Sequence, residues 1–270
     1  MKNYLFPKLF KGMSARSLAE YCLSLGIDGP TLMIRDGYAV QQNDMFETLP
    51  RYIKEIRAAG AEVVYAETPF QMHELDKQDD ALSLLCDNGI KFFRMDYIPK
   101  RAHNARDLHD VLCRGLEIAE RAARKSGVRA VVQLHGTFYP HNATAAYLAC
   151  KNFDPAYIGI KLDPGNNIQQ EGYEEYGYQA ELLGDYVVAI GQKDAVITRN
   201  AENGKWERVF APATVGINDY DRIFAKVKKH CPDIIGIFMP FYHENDAKAM
   251  HAAFQEEVAY IKKCQKKNGL

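Results

Sequence analysis

The sequence has almost no excess charge of either sign, because 34 Lys and Arg side chains stand against 35 Asp and Glu, for a formal net charge of -1. Proteins that bind a phosphate backbone need a positive surface, so this balance argues against a nucleic-acid partner. Long hydrophobic runs are also missing, and none approaches the ~20 apolar residues of a membrane span. The apolar run within Met1 to Pro7 is too short for a signal peptide. We therefore expect a cytoplasmic protein without a membrane partner.

Closely spaced cysteines and flexible linkers are missing as well. The six cysteines are scattered singly, with no C-x-x-C pair: Cys22, Cys86, Cys113, Cys150, Cys231 and Cys264. This spacing fits reduced thiols and neither a disulfide framework nor a zinc site built on cysteine pairs. No Pro-, Gly- or Ser-rich stretch divides the 270 residues, and closed α/β barrels reach this length as one unit. We expect a single domain over residues 1–270.

Short apolar runs alternate with segments of helical period, about eight times, which predicts a (β/α)8 TIM barrel. The predicted strands are Tyr4–Pro7, Thr31–Arg35, Glu62–Ala66, Lys91–Met95, Ala130–Leu134, Tyr157–Leu162, Val187–Gly191 and Ile234–Met239. Ser14 is suited to cap the first helix. Gly26, Gly60, Gly89 and Gly127 are each placed to end a helix before the next strand. The regular placement of these glycines supports the barrel.

Polar side chains follow the predicted strands, where a barrel gathers its site residues. We expect a catalytic set of Glu67, His135, Asp163 and Lys193. The expected substrate-binding set is Arg94, Gln133, Asn166, Asp194, Trp206 and His243. His243 is followed by Glu244, and Arg35, Asp36 and Asp96 also follow strands.

Each expected role has a structural alternative. The Asp163 carboxylate is suited to a metal or a hydroxyl, and equally to ordering the turn with the following Pro and Gly. His135 can serve as a base, hydrogen-bond donor or metal ligand, or be a packed structural histidine. Lys193 can bind a sugar oxygen or stabilise an enediolate while Asp194 holds it, or the two can form a surface ion pair. Arg94 suits a carboxylate or phosphate.

The longest non-periodic stretch, residues 194–218, predicts a hairpin or flap over the barrel mouth that carries the single tryptophan, Trp206. A plain surface insertion is the alternative. After the sixth strand, three tyrosines alternate with acidic residues from Glu171 to Tyr178. Their rings can stack on a sugar, or the stretch can begin an amphipathic helix.

Five segments resemble the xylose-isomerase-like superfamily. They are LFKGMSARSLAEYCLSLGIDG near the start, VVQLHG at the fifth strand, GIKLDPGN at the sixth, VAIGQKDA at the seventh, and VGINDYDRIFAKVKK before the last strand. This superfamily includes sugar phosphate isomerases and epimerases, ketose 3-epimerases, hydroxypyruvate isomerase, inosose dehydratase and endonuclease IV. The resemblance spans nearly the whole chain and implies carbohydrate metabolism, with a small sugar or polyol as partner. It leaves a homo-oligomer open.

The resemblance also implies a divalent metal such as Mn, Mg or Zn, held by Glu, Asp, His and Glu on strands five to eight. Asp163 matches this pattern, but the other three positions hold Gln133, Gly191 and Met239. A glutamine cannot act as a base, a glycine has no side chain, and a thioether binds hard ions poorly. The expected metal site is therefore incomplete, and the two-glutamate proton transfer does not carry over.

Three interpretations remain open at this point. The first is a sugar or sugar-phosphate isomerase or epimerase, or a lyase, that works with or without a displaced metal. The second is a catalytically silent sugar-binding barrel, or a non-catalytic subunit. The third is a repair endonuclease like endonuclease IV, which both the charge balance and the ligand set oppose.

Overall fold

The apolar runs of the sequence form parallel strands that close into a barrel. The computed structural model describes residues 1–170, 173–243 and 245–270. Its strands are β1 (Asn3–Leu5), β2 (Gly29–Pro30), β3 (Leu32–Met33), β4 (Tyr65–Glu67), β5 (Phe92–Arg94), β6 (Ile98–Pro99), β7 (Arg129–Gln133), β8 (Phe138–Tyr139), β9 (Ile158–Leu162), β10 (Val187–Gln192), β11 (Asp194–Arg199), β12 (Trp206–Ala211) and β13 (Ile235–Phe238).

Nine of these segments form one sheet in the order β2-β1-β13-β10-β9-β7-β5-β4-β3, and every neighbouring pair in it is parallel. Only Thr31 separates β2 from β3, so the two segments act as one strand and join the two ends of the sheet. The sheet has nine segments, and because β2 and β3 count as one strand, the barrel has eight strands. The predicted (β/α)8 barrel is confirmed, and the predicted strands overlap the observed ones.

Helices follow the strands and cover the outside of the barrel. They are α1 (Ala15–Ser24), α2 (Met45–Ala58), α3 (Asp79–Asp87), α4 (Leu108–Ser126), α5 (Ala143–Cys150), α6 (Pro164–Gln169), α7 (Tyr176–Leu183), α8 (Tyr220–His230) and α9 (Ala247–Lys267). Within the described residues, no helix has the length and apolar character needed to cross a bilayer.

The local signals in the sequence act as expected. The Ser14 hydroxyl accepts a hydrogen bond from the Ser17 amide and caps α1. The four helix-ending glycines all have a positive φ, between 67° and 90°. On α4, an apolar face that includes Leu108, Leu112 and Leu116 is buried. Residues 194–218 contain the predicted hairpin, formed by antiparallel pairing of β11 with β12.

The core has two compartments. The larger lies between the strands and the helices, where residues such as Leu18, Leu82 and Phe224 are almost fully buried. The smaller lies inside the barrel and is made of Phe6, Met33, Tyr65, Val131, Val188, Ala189, Ile237 and Met239. Because apolar side chains fill the barrel interior, polar chemistry is confined to its mouth, at the carboxyl ends of the strands.

A buried carboxyl group ties the last helix to two loops. Glu257 of α9 is fully buried. Its Oε2 accepts a hydrogen bond of 2.7 Å from the Tyr242 hydroxyl, and its Oε1 accepts one of 2.8 Å from the Ala213 amide. Burial raises the pKa of Glu257 to about 8. This contact fastens the segments that follow β12 and β13, both of which border the barrel mouth.

We expect Glu257→Gln to change the pH dependence of stability. The folded-state pKa lies above the unfolded value, so the glutamate's contribution is present at low pH and is lost as pH rises towards about 8. The unfolding free energy of wild type relative to the variant should therefore fall by on the order of 1–3 kcal/mol between about pH 5 and pH 8. Urea unfolding at several pH values measures it, and a constant difference would contradict the assignment.

Candidate active site

A polar pocket of about 380 Å³ opens at the barrel mouth. Its walls are Phe6, Lys8, Met33, Arg35, Glu67, Arg94, Asp96, Tyr97, Pro99, Gln133, His135, Phe138, Lys193, Met239 and Phe241. These residues follow or end different strands, as expected for a site assembled by a parallel barrel. The volume lies in the range of small-molecule sites and can hold a monosaccharide.

One side of the pocket contains a buried carboxylate between two cations. Glu67, at the end of β4, is 2% exposed. It pairs with the Arg94 guanidinium and, at 3.1 Å, with the Lys161 ammonium. Burial alone would raise the pKa of Glu67, but the charges of Lys161 and Arg94 outweigh it and hold that pKa below its usual value. Glu67 therefore faces the pocket as a fixed carboxylate.

Beneath the pocket, Asp163 contacts polar groups from three parts of the barrel. It follows β9 and caps α6, because its Oδ1 accepts a 3.0 Å bond from the Asn166 amide. Its Oδ2 accepts a 2.6 Å bond from the Gln133 side-chain amide and lies 3.3 Å from Lys193 Nζ. The Tyr97 hydroxyl donates to Gln133 Oε1 at 2.8 Å, which fixes which way the amide points. Asp163 is fully buried beneath the pocket.

Lys193 brings an amine to the pocket wall. It follows β10, is 3% exposed, and donates a 2.8 Å hydrogen bond to Asn166 Oδ1. The Phe210 and Phe241 rings lie 4.6 and 4.8 Å from Nζ. Burial lowers the pKa of Lys193 to about 8, although the Asp163 carboxylate opposes this shift.

The lysine stem passes over a glycine. A Cβ on Gly165 would lie 2.6 Å from Lys193 Cγ. The first turn of α6 therefore needs glycine at position 165, because the Lys193 side chain packs on it.

His135 lies on the pocket wall between two rings, with centroids 4.9 Å from Tyr97 and 4.8 Å from Phe138. Burial, together with the charges of Lys193, Arg94 and Lys100, lowers the pKa of His135 to about 3. The imidazole is therefore neutral at physiological pH. Its Nε2 lies 3.3 Å from the Gln170 amide nitrogen, and its buried Nδ1 has no hydrogen-bond partner among the described residues.

Four of the expected substrate-binding residues lie outside the pocket lining. One of them, Asn166, supports Lys193 from below. Asp194 is buried against the loop before α8, where it accepts hydrogen bonds from the Ala195 and Asn218 amides. Trp206 is 72% exposed and pairs with Arg199 on the hairpin. His243 is exposed and has a positive φ of 52°. Their substrate contacts stay untested predictions. Glu171 and Glu244 lie outside the described residues.

The other expected residues lie together at the pocket. Glu67, Arg94, Gln133 and His135 line the pocket with Lys193, and Asp163 and Asn166 support that lysine from below. Sequence reasoning missed Lys161, although a lysine inside the apolar run of β9 is a detectable signal. It also missed the covering rings of Tyr97, Phe210 and Phe241. Phe210 reaches the site only because the hairpin folds back, which no local pattern reveals.

The residues around Asp163 do not fit a hard divalent metal. A Cβ on Gly191 would lie 3.3 Å from both Asp163 Oδ2 and Met239 Sδ, so the positions implied by the resemblance do meet there. They supply no further carboxylate or imidazole, and a glutamine N–H and an ammonium already occupy Oδ2. Among residues 1–170, 173–243 and 245–270, no three His, Cys, Asp or Glu side chains group as a metal site.

Comparisons with solved structures identify the fold. The probable 3-DHS dehydratase involved in petrobactin synthesis from Bacillus anthracis superposes with a TM-score of 0.73 at 15% identity, over 97% of this chain and 99% of that one. D-Psicose 3-epimerase, solved in the presence of D-fructose, gives 0.71 at 13% identity, over 98% and 99%. No protein-family model matches the sequence, and the search of curated proteins gave no match.

A xylose isomerase-like TIM barrel protein from Mycobacterium smegmatis, in complex with magnesium, gives a TM-score of 0.69 at 14% identity, over 96% of this chain and 91% of that one. Identities this low show the fold alone. The chain has the fold of the xylose isomerase-like TIM barrels, as the sequence resemblance predicted.

We expect Glu67→Gln to destabilise the protein by about 3–5 kcal/mol, because it leaves the buried Arg94 and Lys161 cations without their carboxylate. Denaturant unfolding measures the change. The matched control is Glu20→Gln, which removes the exposed Arg16–Glu20 pair and should cost below about 1 kcal/mol. Equal effects of the two substitutions would show that the buried ion pairs do not hold this side of the barrel.

We expect Mn²⁺ or Mg²⁺ to leave the wild-type melting temperature unchanged within about 1 °C, because no second carboxylate accompanies Asp163. The comparison variant combines Gln133→Glu with Lys193→Ala. This pair of changes removes the competing ammonium and adds a carboxylate on the neighbouring strand, so added Mn²⁺ should raise its melting temperature. A rise of several degrees in wild type would mean that Asp163 recruits other ligands.

Proposed function

We propose that this protein is an isomerase or epimerase that moves a proton on a small sugar or sugar phosphate bound in the mouth pocket. The observation that carries the proposal is the Lys193 ammonium, which lines the pocket and is held by Asn166 Oδ1 at 2.8 Å and Asp163 Oδ2 at 3.3 Å. When a proton leaves the carbon beside a carbonyl group, negative charge develops on the carbonyl oxygen. A fixed cation at that oxygen stabilises the resulting enediolate.

The charge balance of the pocket supports an anionic substrate or transition state. The buried groups Arg94, Lys161 and Lys193 carry three positive charges, and Glu67 with Asp163 carries two negative ones. Nearer the opening, Lys8 and Arg35 face the pocket together with Asp96. The site therefore has a net positive charge within an almost neutral protein, which favours a phosphate, a carboxylate or an enediolate.

The remaining pocket residues suit a polyhydroxy ligand. Neutral His135 lines the pocket, where its ring can contact a substrate hydroxyl. Two carboxylates, Glu67 and Asp96, line the same pocket and are the candidate bases for the proton. Glu67 is restrained by two cations, so Asp96 is the freer of the two. Sugar epimerases and a dehydratase among proteins of this fold agree with the assignment.

A silent sugar-binding barrel is the alternative, and one observation favours it. Both buried carboxylates at the floor, Glu67 and Asp163, are held in ion pairs. The charges of Lys161 and Arg94 lower the pKa of Glu67 and so reduce its strength as a base. The protein would then bind its ligand without turnover, alone or as a non-catalytic subunit.

Hydrogen exchange in D₂O tests the proposal without knowledge of the product. We expect NMR to show deuterium entering next to the carbonyl of at least one member of a panel of aldoses, ketoses and their phosphates. Lys193→Met should slow this exchange by on the order of 10²-fold or more, since it removes the charge that stabilises the transition state. Lys228→Met, at an exposed position on α8, is the matched control and should exchange at the wild-type rate.

Undiminished exchange in Lys193→Met would show that the site is placed wrongly. Binding by calorimetry without exchange for any sugar would favour the silent barrel. Asp96→Asn and Glu67→Gln then separate the candidate bases, since loss of exchange in a folded variant identifies the group that takes the proton.

A further inference from the structure

The surroundings of Lys193 are those of a nucleophilic amine. Its Nζ lies between the Phe210 and Phe241 rings, at 4.6 and 4.8 Å, and still borders the pocket. Lys8 Nζ lies 4.7 Å from the centroid of the same Phe241 ring. Burial of the amine and the charges of Lys161 and Lys8 lower the pKa of Lys193 and so disfavour the ammonium form. Desolvation and neighbouring cations activate lysines that attack carbonyl groups in this way.

A proton acceptor lies beside this amine. Asp163 Oδ2 is 3.3 Å from Lys193 Nζ, and the same oxygen is held at 2.6 Å by Gln133, which is held in turn by the Tyr97 hydroxyl at 2.8 Å. Asn166 Oδ1 fixes the amine from another direction. A nucleophile next to a base that a third group orients is the arrangement found in covalent catalysis.

We propose that Lys193 forms a Schiff base with the carbonyl carbon of a ketose or aldose bound in the pocket. This inference rests on the proposed function for the presence of a carbonyl substrate. It gives Lys193 a covalent role in place of a purely electrostatic one. It also accounts for carbonyl activation at a site whose side chains do not suit a divalent metal.

The step balances without any oxidant or reductant. Asp163 takes one proton from the Lys193 ammonium, and the freed lone pair bonds to the carbonyl carbon while the C=O π pair moves onto the oxygen. The resulting alkoxide takes a proton from the newly bonded nitrogen, which gives a carbinolamine with a hydroxyl group. That hydroxyl leaves as water with the proton that Asp163 held, and the nitrogen lone pair forms the C=N bond. Ammonium and carbonyl thus give iminium and water. The iminium withdraws electrons from the adjacent C–H bond, so a pocket carboxylate can remove its proton, and hydrolysis returns the amine.

Reductive trapping tests this directly. The whole protein is incubated with dihydroxyacetone phosphate or D-fructose and sodium cyanoborohydride, which reduces an iminium to a stable secondary amine, and the modified lysines are mapped by peptide mass spectrometry. We expect one dominant adduct, at Lys193, forming about 10-fold or more faster than at any other lysine, because the pocket positions the carbonyl group. Lys228→Met should be labelled like wild type.

Lys193→Arg separates charge from covalency, because it keeps a cation and cannot form an imine. We expect it to lose both the adduct and the deuterium exchange. Exchange at the wild-type rate in Lys193→Arg would overturn the covalent role and leave the proposed function standing. An adduct at Lys193 with no exchange for any sugar would support the covalent role and remove the proposed function.

If a variant fails to fold, the map of modified lysines in the wild-type protein is sufficient to test the inference. Labelling spread over surface lysines, with Lys193 unmodified by both probes, would overturn the inference.

Discussion

The carboxylate of Asp163 accepts donors from three different parts of the barrel, and the arrangement of the mouth depends on it. Asp163 Oδ1 accepts a hydrogen bond from the Asn166 amide at the start of α6. Asp163 Oδ2 contacts both the Gln133 side-chain amide and the Lys193 ammonium. A fully buried carboxylate is stable only when its oxygens are satisfied in this way. The same contacts link the end of β7, the start of α6 and the residue after β10, so one anion orders both the floor of the pocket and the amine that lines it.

The buried charged groups also determine the electrostatics of the barrel mouth. Most charges of the chain cancel, yet the mouth concentrates Arg94, Lys161 and Lys193 around only two buried carboxylates. In the low dielectric of the barrel such an imbalance acts strongly on a bound oxygen anion. Lys193 thus supplies positive charge at the point where the resemblance implied a metal ion. The charge is built into the chain, and its position is set by Asn166 and by the glycine beneath the lysine stem.

Much of the fold follows from patterns within the sequence. Apolar runs and helix-ending glycines predicted the barrel because strand formation and positive φ are local properties. The strand-end rule also predicted Glu67, Arg94, Gln133, His135 and Lys193 at one pocket, since parallel strands end at a common mouth. It predicted Asp194 and His243 equally well, and these do not line the pocket. Position after a strand fixes which end of the barrel a residue reaches, but not the direction of its side chain.

The sequence by itself determined the barrel architecture, the net charge of -1 and the departure from the four-ligand metal pattern. Composition, periodicity and residue identity are all properties of the chain. Only the tertiary structure decided what replaced that pattern. The pairing of Glu67 with Lys161 joins residues 94 positions apart, and Phe210 covers Lys193 only after a hairpin returns across the mouth. Contacts of this kind depend on how distant segments pack in three dimensions, which local periodicity does not encode.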